Sequence, residues 1–495
     1  MLFRLVTGLC LLCASLNAQT SDNSVIIVGA GLSGYSAARR LLENGFNEIT
    51  ILESSGRIGG RIYSVPLSNG MVDSGAQWVH GQVGNSIYQL VSPHFSFGST
   101  PVDLHYPIFV ISNGTTPQQR NFQSLYSLGY TVLANISTIR LPRGSLGDLF
   151  VTNFDEAIAG PLYRHIDVAT QDFIREEIHK ETNGYYGTSS WFDISARLNF
   201  LSEFADGDQY LTWKRQGFIT VFDYITRRAP NPSENLNIDS RVIFNKKVTN
   251  IRYNTNDPAS RSTVTCSDGS TYTARHVIFT GSLGVLKKYH ETMFTPALPT
   301  RKVSSIRNIA FGNVAKFFME FDNNFWQTPG TTFLKYLFMW TDFHKNQAIA
   351  TNREWMTDIA GIYAVDQYPN LLQIFFGGGN TQMFELASDE TVINDVLWML
   401  DMFLPHLRPI PRPRAVHKTK WLTNDNFLGS YSYPSMDQER SLSTIAELAS
   451  SIRATNNMPM VLFAGEATSS EFPSMAHGAL DSGYRAADEI VSFYG

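Results

Sequence analysis

The sequence predicts an α/β protein: a Rossmann-like dinucleotide-binding domain joined to a second, α+β domain. Three observations predict it. The apolar run Val25-Ile26-Ile27-Val28 leads directly into Gly29-Ala30-Gly31-Leu32-Ser33-Gly34. A carboxylate, Glu53, closes the next strand-like run 19 residues beyond Gly34. At the other end of the chain a strand-like stretch at 460–464 is followed by a helical pattern from about 477 to 492. A β-α-β at one end and a strand-turn-helix at the other imply one domain assembled from separated segments.

Each element has a physical reason. Residues 25–28 read as a buried strand. Gly29 makes the tight turn, Gly31 lets a pyrophosphate approach the backbone, and Gly34 lets the following helix pack close to the strand. The helix N-terminus then faces the phosphates. The second strand, residues 48–52, ends at Glu53, where a carboxylate accepts hydrogen bonds from a ribose. Arg57-Ile58-Gly59-Gly60-Arg61 follows at once. Its paired glycines free the backbone, and Arg61 is in reach of a diphosphate; a nicotinamide site needs no such second element.

Further along, residues 155–228 read as mostly helical, interrupted at Asn183-Gly184 and Asp206-Gly207. Residues 242–281 read as short strands, and 317–321 and 371–376 as further strands. A helix is expected from 390 to 403, ended by Pro405.

Composition narrows the function classes. The chain has 495 residues, 43% hydrophobic and 17% charged, with a formal net charge of −5. The sequence has no block of like charges, which argues against a nucleic-acid partner, since that would need a basic patch or stripe. Arg4 followed by the apolar run 5–14 and small residues up to Gln19 has the layout of a signal peptide, cleaved after Ala18. No later stretch is apolar for long enough to span a bilayer, and no metal site is expected. Export would leave Cys266 as the one cysteine and so no internal disulfide. It would expose two sequons, Asn113-Gly114-Thr115 and Asn135-Ile136-Ser137, to glycosylation.

Beyond the fingerprint, a family becomes recognisable along nearly the whole chain. Gly75-Ala76-Gln77-Trp78-Val79-His80-Gly81, Thr280-Gly281-Ser282-Leu283-Gly284-Val285-Leu286, Gly429-Ser430-Tyr431-Ser432-Tyr433 and Phe463-Ala464-Gly465-Glu466-Ala467-Thr468 resemble segments of the flavin-containing amine oxidases. So do His477-Gly478-Ala479-Leu480 and Ser482-Gly483. The resemblance is nearest to the animal spermine oxidase and N1-acetylpolyamine oxidase group. It implies the amine-oxidase fold: an FAD-binding Rossmann-like (GR2-type) domain from residues 24–105, 240–300 and 440–495, and a substrate-binding domain from 106–239 and 301–439. It implies non-covalent FAD lined by Gly29, Gly31, Gly34, Glu53, Arg61, Gln77, Trp78, Val248, Trp421 and Glu466, with Glu466 holding ribityl hydroxyls. Residues 474–477 would lie along the isoalloxazine. There Met475 and Ala476 replace two threonines of animal relatives, which keeps backbone N–H groups and loses side-chain hydroxyls.

For the chemistry, the resemblance points to Lys316, bonded through water to flavin N5. Read alone, a lysine amid Phe311, Phe317 and Phe318 is either a snorkelling strand lysine or a buried functional one. Val314 and Ala315 just before it are apolar, where relatives often carry polar residues. His80 would face the substrate channel, and Tyr431 would wall the amine pocket, with Tyr433 either beside it or in the core. Glu203, Asp206 and Asp208 read as a solvated loop or as a site for a distal ammonium.

The implied reaction is hydride transfer from the carbon beside an amine nitrogen to FAD, with O2 as final acceptor. A monoamine oxidase fits less well, because residues 427–433 contain no tethering cysteine. A secreted L-amino-acid oxidase and a flavoprotein without turnover are the remaining readings.

Overall fold

The computed structural model describes residues 22–99, 107–115, 117–200, 205–327, 335–365 and 367–495. The expected leader and Glu203 lie outside them. All four residues of the strand Val25–Val28 are buried, as a strand covered on both faces requires. It pairs in parallel with Ile49–Leu52 on one side and His276–Phe279 on the other. Pro459–Phe463 extends the sheet in parallel beyond His276–Phe279. Val242–Ile243 and Ile452–Arg453 form the two edges of this six-stranded sheet. Its strands therefore come from three separated stretches of chain.

The helix Leu32–Glu43 begins immediately after Gly31 and packs against the last helix, Ala476–Tyr494. The Ser36 hydroxyl ties the two by donating to the Leu480 carbonyl at 2.8 Å.

A second six-stranded sheet runs in the order Ala415–Lys418, Val314–Glu320, Tyr368–Gly377, Gly361–Val365, Lys335–Met339, Ile108–Ile111. Alternation along Lys335–Met339 divides two cores. Tyr336 and Phe338 pack in one core with Val392, Val396 and Phe403 of the helix Asp389–Phe403. Leu337 and Met339 pack in the other with Phe122 and Ile178, from the helices Gln119–Thr138 and Val168–Tyr186.

Two expectations need correction. The helix Val168–Tyr186 runs through Asn183-Gly184 and stops at Gly187, at φ +68°. Gly184 packs beside Phe375 and Gly377, where an added Cβ would make only ordinary contacts of 3.5 Å to the Phe375 ring and 3.7 Å to Gly377 N. The domain boundary at 239 is also misplaced. Leu211, Trp213, Phe218 and Phe222 belong to the core around Tyr35 and the first strand, with the Tyr35 and Phe222 rings 4.9 Å apart. Their burial assigns residues 211–225 to the nucleotide-fingerprint side. No helix among the described residues is long and apolar enough to cross a membrane.

Candidate active site

A cavity of about 1390 Å³ runs from the Gly29–Gly31 loop and Glu53, past Arg61, to Lys316 and beyond. Gly29 has φ +110°, and a Cβ on Gly34 would lie 2.1 Å from the Gly29 carbonyl oxygen. Gly34 thus works beneath the loop, outside the cavity wall. Around Gly31 the nearest atoms to an added Cβ are 4.0 Å away, leaving open backbone of the kind that a pyrophosphate approaches. The other residues expected around the cofactor, Gln77, Trp78, Val248, Trp421, Glu466, Met475 and Ala476, all line the cavity. The lining fits a dinucleotide: an open glycine turn at a helix start, a carboxylate at the next strand end, and a long trough leading away.

Several of these groups are engaged differently from the expectation. Glu53 Oε2 accepts from Ala30 N at 2.8 Å, and Oε1 accepts from Ser55 N and Ser55 Oγ at 2.8 and 2.7 Å. The carboxylate therefore braces the glycine turn as well as facing the cavity. Arg61 lines the cavity but is partly engaged within the protein. Its Nη1 donates to Glu466 Oε1 at 2.8 Å and to Ser430 O at 2.7 Å. Glu466 Oε2 accepts from Ser432 Oγ at 2.7 Å and Ser474 N at 3.1 Å. So Glu466 spends much of its acceptor capacity joining three loops. Met475 begins the last helix without any side-chain cap, leaving N-terminal amides open to an acceptor.

Lys316 lies on Val314–Glu320 and is buried. Its Nζ donates to Asp73 O, Gly75 O and Gln77 Oε1 at 3.0, 2.8 and 2.8 Å. It does not snorkel, and the three protons of its ammonium are all taken by protein acceptors. Burial pulls its pKa down, against the Asp73 carboxylate, which pulls it up. Asp73 was missed by sequence reasoning. It is buried, accepts from Phe218 N at 2.8 Å, and burial raises its pKa. The available signal was its position, a carboxylate ending the strand Gly70–Asp73 before a glycine turn, as Glu53 does.

His80 lines the cavity, and its Nδ1 lies 2.6 Å from Gln209 O. A carbonyl can only accept, so Nδ1 carries the hydrogen and Nε2 the lone pair. Burial lowers the pKa of this imidazole and keeps it neutral. The Tyr431 hydroxyl donates to Gly184 O or Tyr185 O, at 3.1 and 3.0 Å, while its ring faces the cavity. Tyr433 packs in a helical core, its hydroxyl 3.2 Å from Thr188 Oγ. Asp206 and Asp208 lie in a loop away from the lining; Asp208 accepts from Tyr210 N at 2.8 Å.

A cluster around Glu181 lines another part of the cavity. Glu181 accepts from Tyr126 at 2.7 Å, Tyr130 at 2.8 Å and Lys335 at 3.0 Å. All four residues line the cavity, as do Tyr185, Tyr210 and Tyr363. Glu177, Lys180 and Glu181 share one face of the helix Val168–Tyr186, and Lys180 lies 2.8 Å from Glu177. Sequence could show that helical face but not the lysine and tyrosines brought to it from other elements.

Comparison with known proteins agrees with this geometry. Residues 32–491 match the family model described as flavin containing amine oxidoreductase. The peroxisomal N(1)-acetyl-spermine/spermidine oxidases of Bos taurus and Homo sapiens are each 27% identical, over 95% of both chains. Polyamine oxidase 1 of Zea mays is 25% identical over 96% of this chain and 91% of its own. The solved structure of wild-type putrescine oxidase bound to putrescine superimposes with a TM-score of 0.65 at 18% identity, covering 95% of this chain and 99% of that one. The chain belongs to the flavin-containing amine oxidoreductases, and FAD is its cofactor.

Proposed function

We propose that this enzyme oxidises a polyamine, with N1-acetylated polyamines preferred to free spermine, and passes the electrons to O2. The overall change takes a secondary amine, O2 and water to an aldehyde, a shorter amine and H2O2. FAD supplies the hydride acceptor and its own reoxidation by O2. The chain's residues do the rest. Lys316 fixes Gln77 and the 73–77 turn and brings positive charge to that end of the cavity. His80 offers a neutral Nε2 acceptor to a substrate N–H. Tyr431 and its aromatic neighbours exclude water, which favours the free-base amine.

One observation carries the reading of the substrate. The cavity extends to Glu181, whose charge is cancelled by Lys335 at 3.0 Å. A long substrate gains orientation from remote contacts there. A neutral amide end meets hydroxyls and a charge-balanced pair, whereas a second ammonium would meet a lysine. The relatives named as N(1)-acetyl-spermine/spermidine oxidases support the same class.

The test is kcat/KM for N1-acetylspermine, spermine, benzylamine and L-leucine, read by peroxide release. Acetylspermine should lead. Spermine ahead of it would remove the charge argument but keep the polyamine class. L-leucine in the lead would make this an amino-acid oxidase, and no turnover with FAD bound would make it a flavoprotein of another role. We further propose export, with a cleaved leader and glycosylation. Asn113 and Asn135 both lie on exposed surface.

A further inference from the structure

Glu385 is 1% exposed on the short helix Thr381–Leu386 and takes no part in the chemistry above. Among the described residues its hydrogen-bond donors are all neutral. Trp421 N and Leu422 N donate to Oε1 at 3.0 Å, and Thr423 N donates to Oε2 at 2.7 Å. Thr423 Oγ and Asn313 Nδ2 add bonds of 2.8 and 3.0 Å. Three consecutive amides thus converge on one buried carboxylate. Burying an ion is costly unless its oxygens are saturated, and this degree of saturation fixes the turn in one conformation.

That turn carries Trp421, which lines the cavity. The network continues through Asn313. Ser430 Oγ donates to Asn313 Oδ1 at 3.0 Å and accepts from Val314 N at 3.0 Å. Ser430 O accepts from Arg61, which pairs with Glu466. Asn313 itself precedes the strand that carries Lys316.

We propose that Glu385 is a positioning residue for the flavin site. It sets Trp421 against the cavity and, through Asn313 and Ser430, ties the start of the Lys316 strand to the Arg61–Glu466 pair. The proposal rests on flavin binding, a family property, and is independent of which amine is oxidised.

The test uses holoenzyme. Glu385→Gln keeps the volume but presents an N–H to the converging amides. It should alter the visible circular dichroism of the bound flavin and speed FAD release on dilution about tenfold, the scale of one buried hydrogen bond lost. Glu385→Asp, still an anion, should restore part of the effect. In a Trp421→Phe background Glu385→Gln should add less than its about tenfold effect in the wild type, because the Trp421 route is already disturbed and only the Asn313–Ser430 route is left to lose. Multiplying effects would overturn the proposal. So would a lowered melting midpoint with wild-type flavin dichroism and release. If Glu385→Gln does not fold, Thr423→Val removes a single donor, and unchanged flavin release in that variant also overturns the proposal.

Discussion

Lys316→Met isolates one atom. Methionine keeps much of the stem's volume and deletes Nζ, which donates to Asp73 O, Gly75 O and Gln77 Oε1 at 3.0, 2.8 and 2.8 Å. Each buried acceptor left without a donor costs about 1–3 kcal/mol. Removing a buried ammonium returns part of its desolvation penalty. The net is a loss of about 2 kcal/mol of stability, modest for a chain this size. The larger effect falls on the site. Gln77 loses its charged partner and keeps only the longer contacts to Gln373, at 3.3 and 3.4 Å, so the wall beside Trp78 loosens. The positive charge at that end of the cavity also disappears. FAD should remain bound, while at least one half-reaction slows by about 100-fold, the scale for deleting a positioned polar group. Anaerobic stopped-flow reduction by substrate, followed by mixing with O2, reads both halves in the flavin absorbance. Wild-type rates in both, with FAD bound, would refute the argument and leave Lys316 a packing residue.

Other outcomes follow from the same geometry. Gly34→Ala places a Cβ 2.1 Å from Gly29 O and 3.3 Å from Ile27 Cγ2; the protein should purify colourless, and stoichiometric FAD in this variant would disprove the close packing. Acid precipitation of the wild type should release all the flavin into the supernatant; flavin in the washed pellet would show a covalent link. His276 and His477 are held neutral by burial, with pKa values lowered to about 4. Between pH 6.5 and 4 the unfolded chain binds the extra protons, so each imidazole removes stability as pH falls, by at most about 1.4 kcal/mol per pH unit. Denaturant unfolding across that range should show this, and His477→Phe should flatten the slope; an unchanged slope would exclude His477. Expression of the full gene in a eukaryotic host should yield medium protein that loses mass on glycosidase treatment, and intracellular protein with its leader intact would refute export.

The nucleotide half of this protein was legible in one dimension because its demands are local. Gly29, Gly31, Gly34 and Glu53 sit within one β-α-β unit, where spacing along the chain fixes spacing in space, and the strands Val25–Val28 and Pro459–Phe463 announce themselves by unbroken apolar runs. The family motifs likewise marked Lys316, His80 and Tyr431 for the cavity wall. What each group bonds to was not legible. Arg61 meets Glu466 across 405 positions of sequence, and Lys316 meets the Asp73–Gln77 turn across about 240. Glu385 reaches the Trp421 turn, and Lys335 cancels Glu181, only because separate strands and helices converge. The same cause kept the domain boundary hidden, since Trp213 and Phe222 declare only that they are buried, not against which core. Local backbone chemistry is written along the chain; the pairing of buried charges is decided by packing, because only a closed, dry interior makes an unpaired charge too costly to leave.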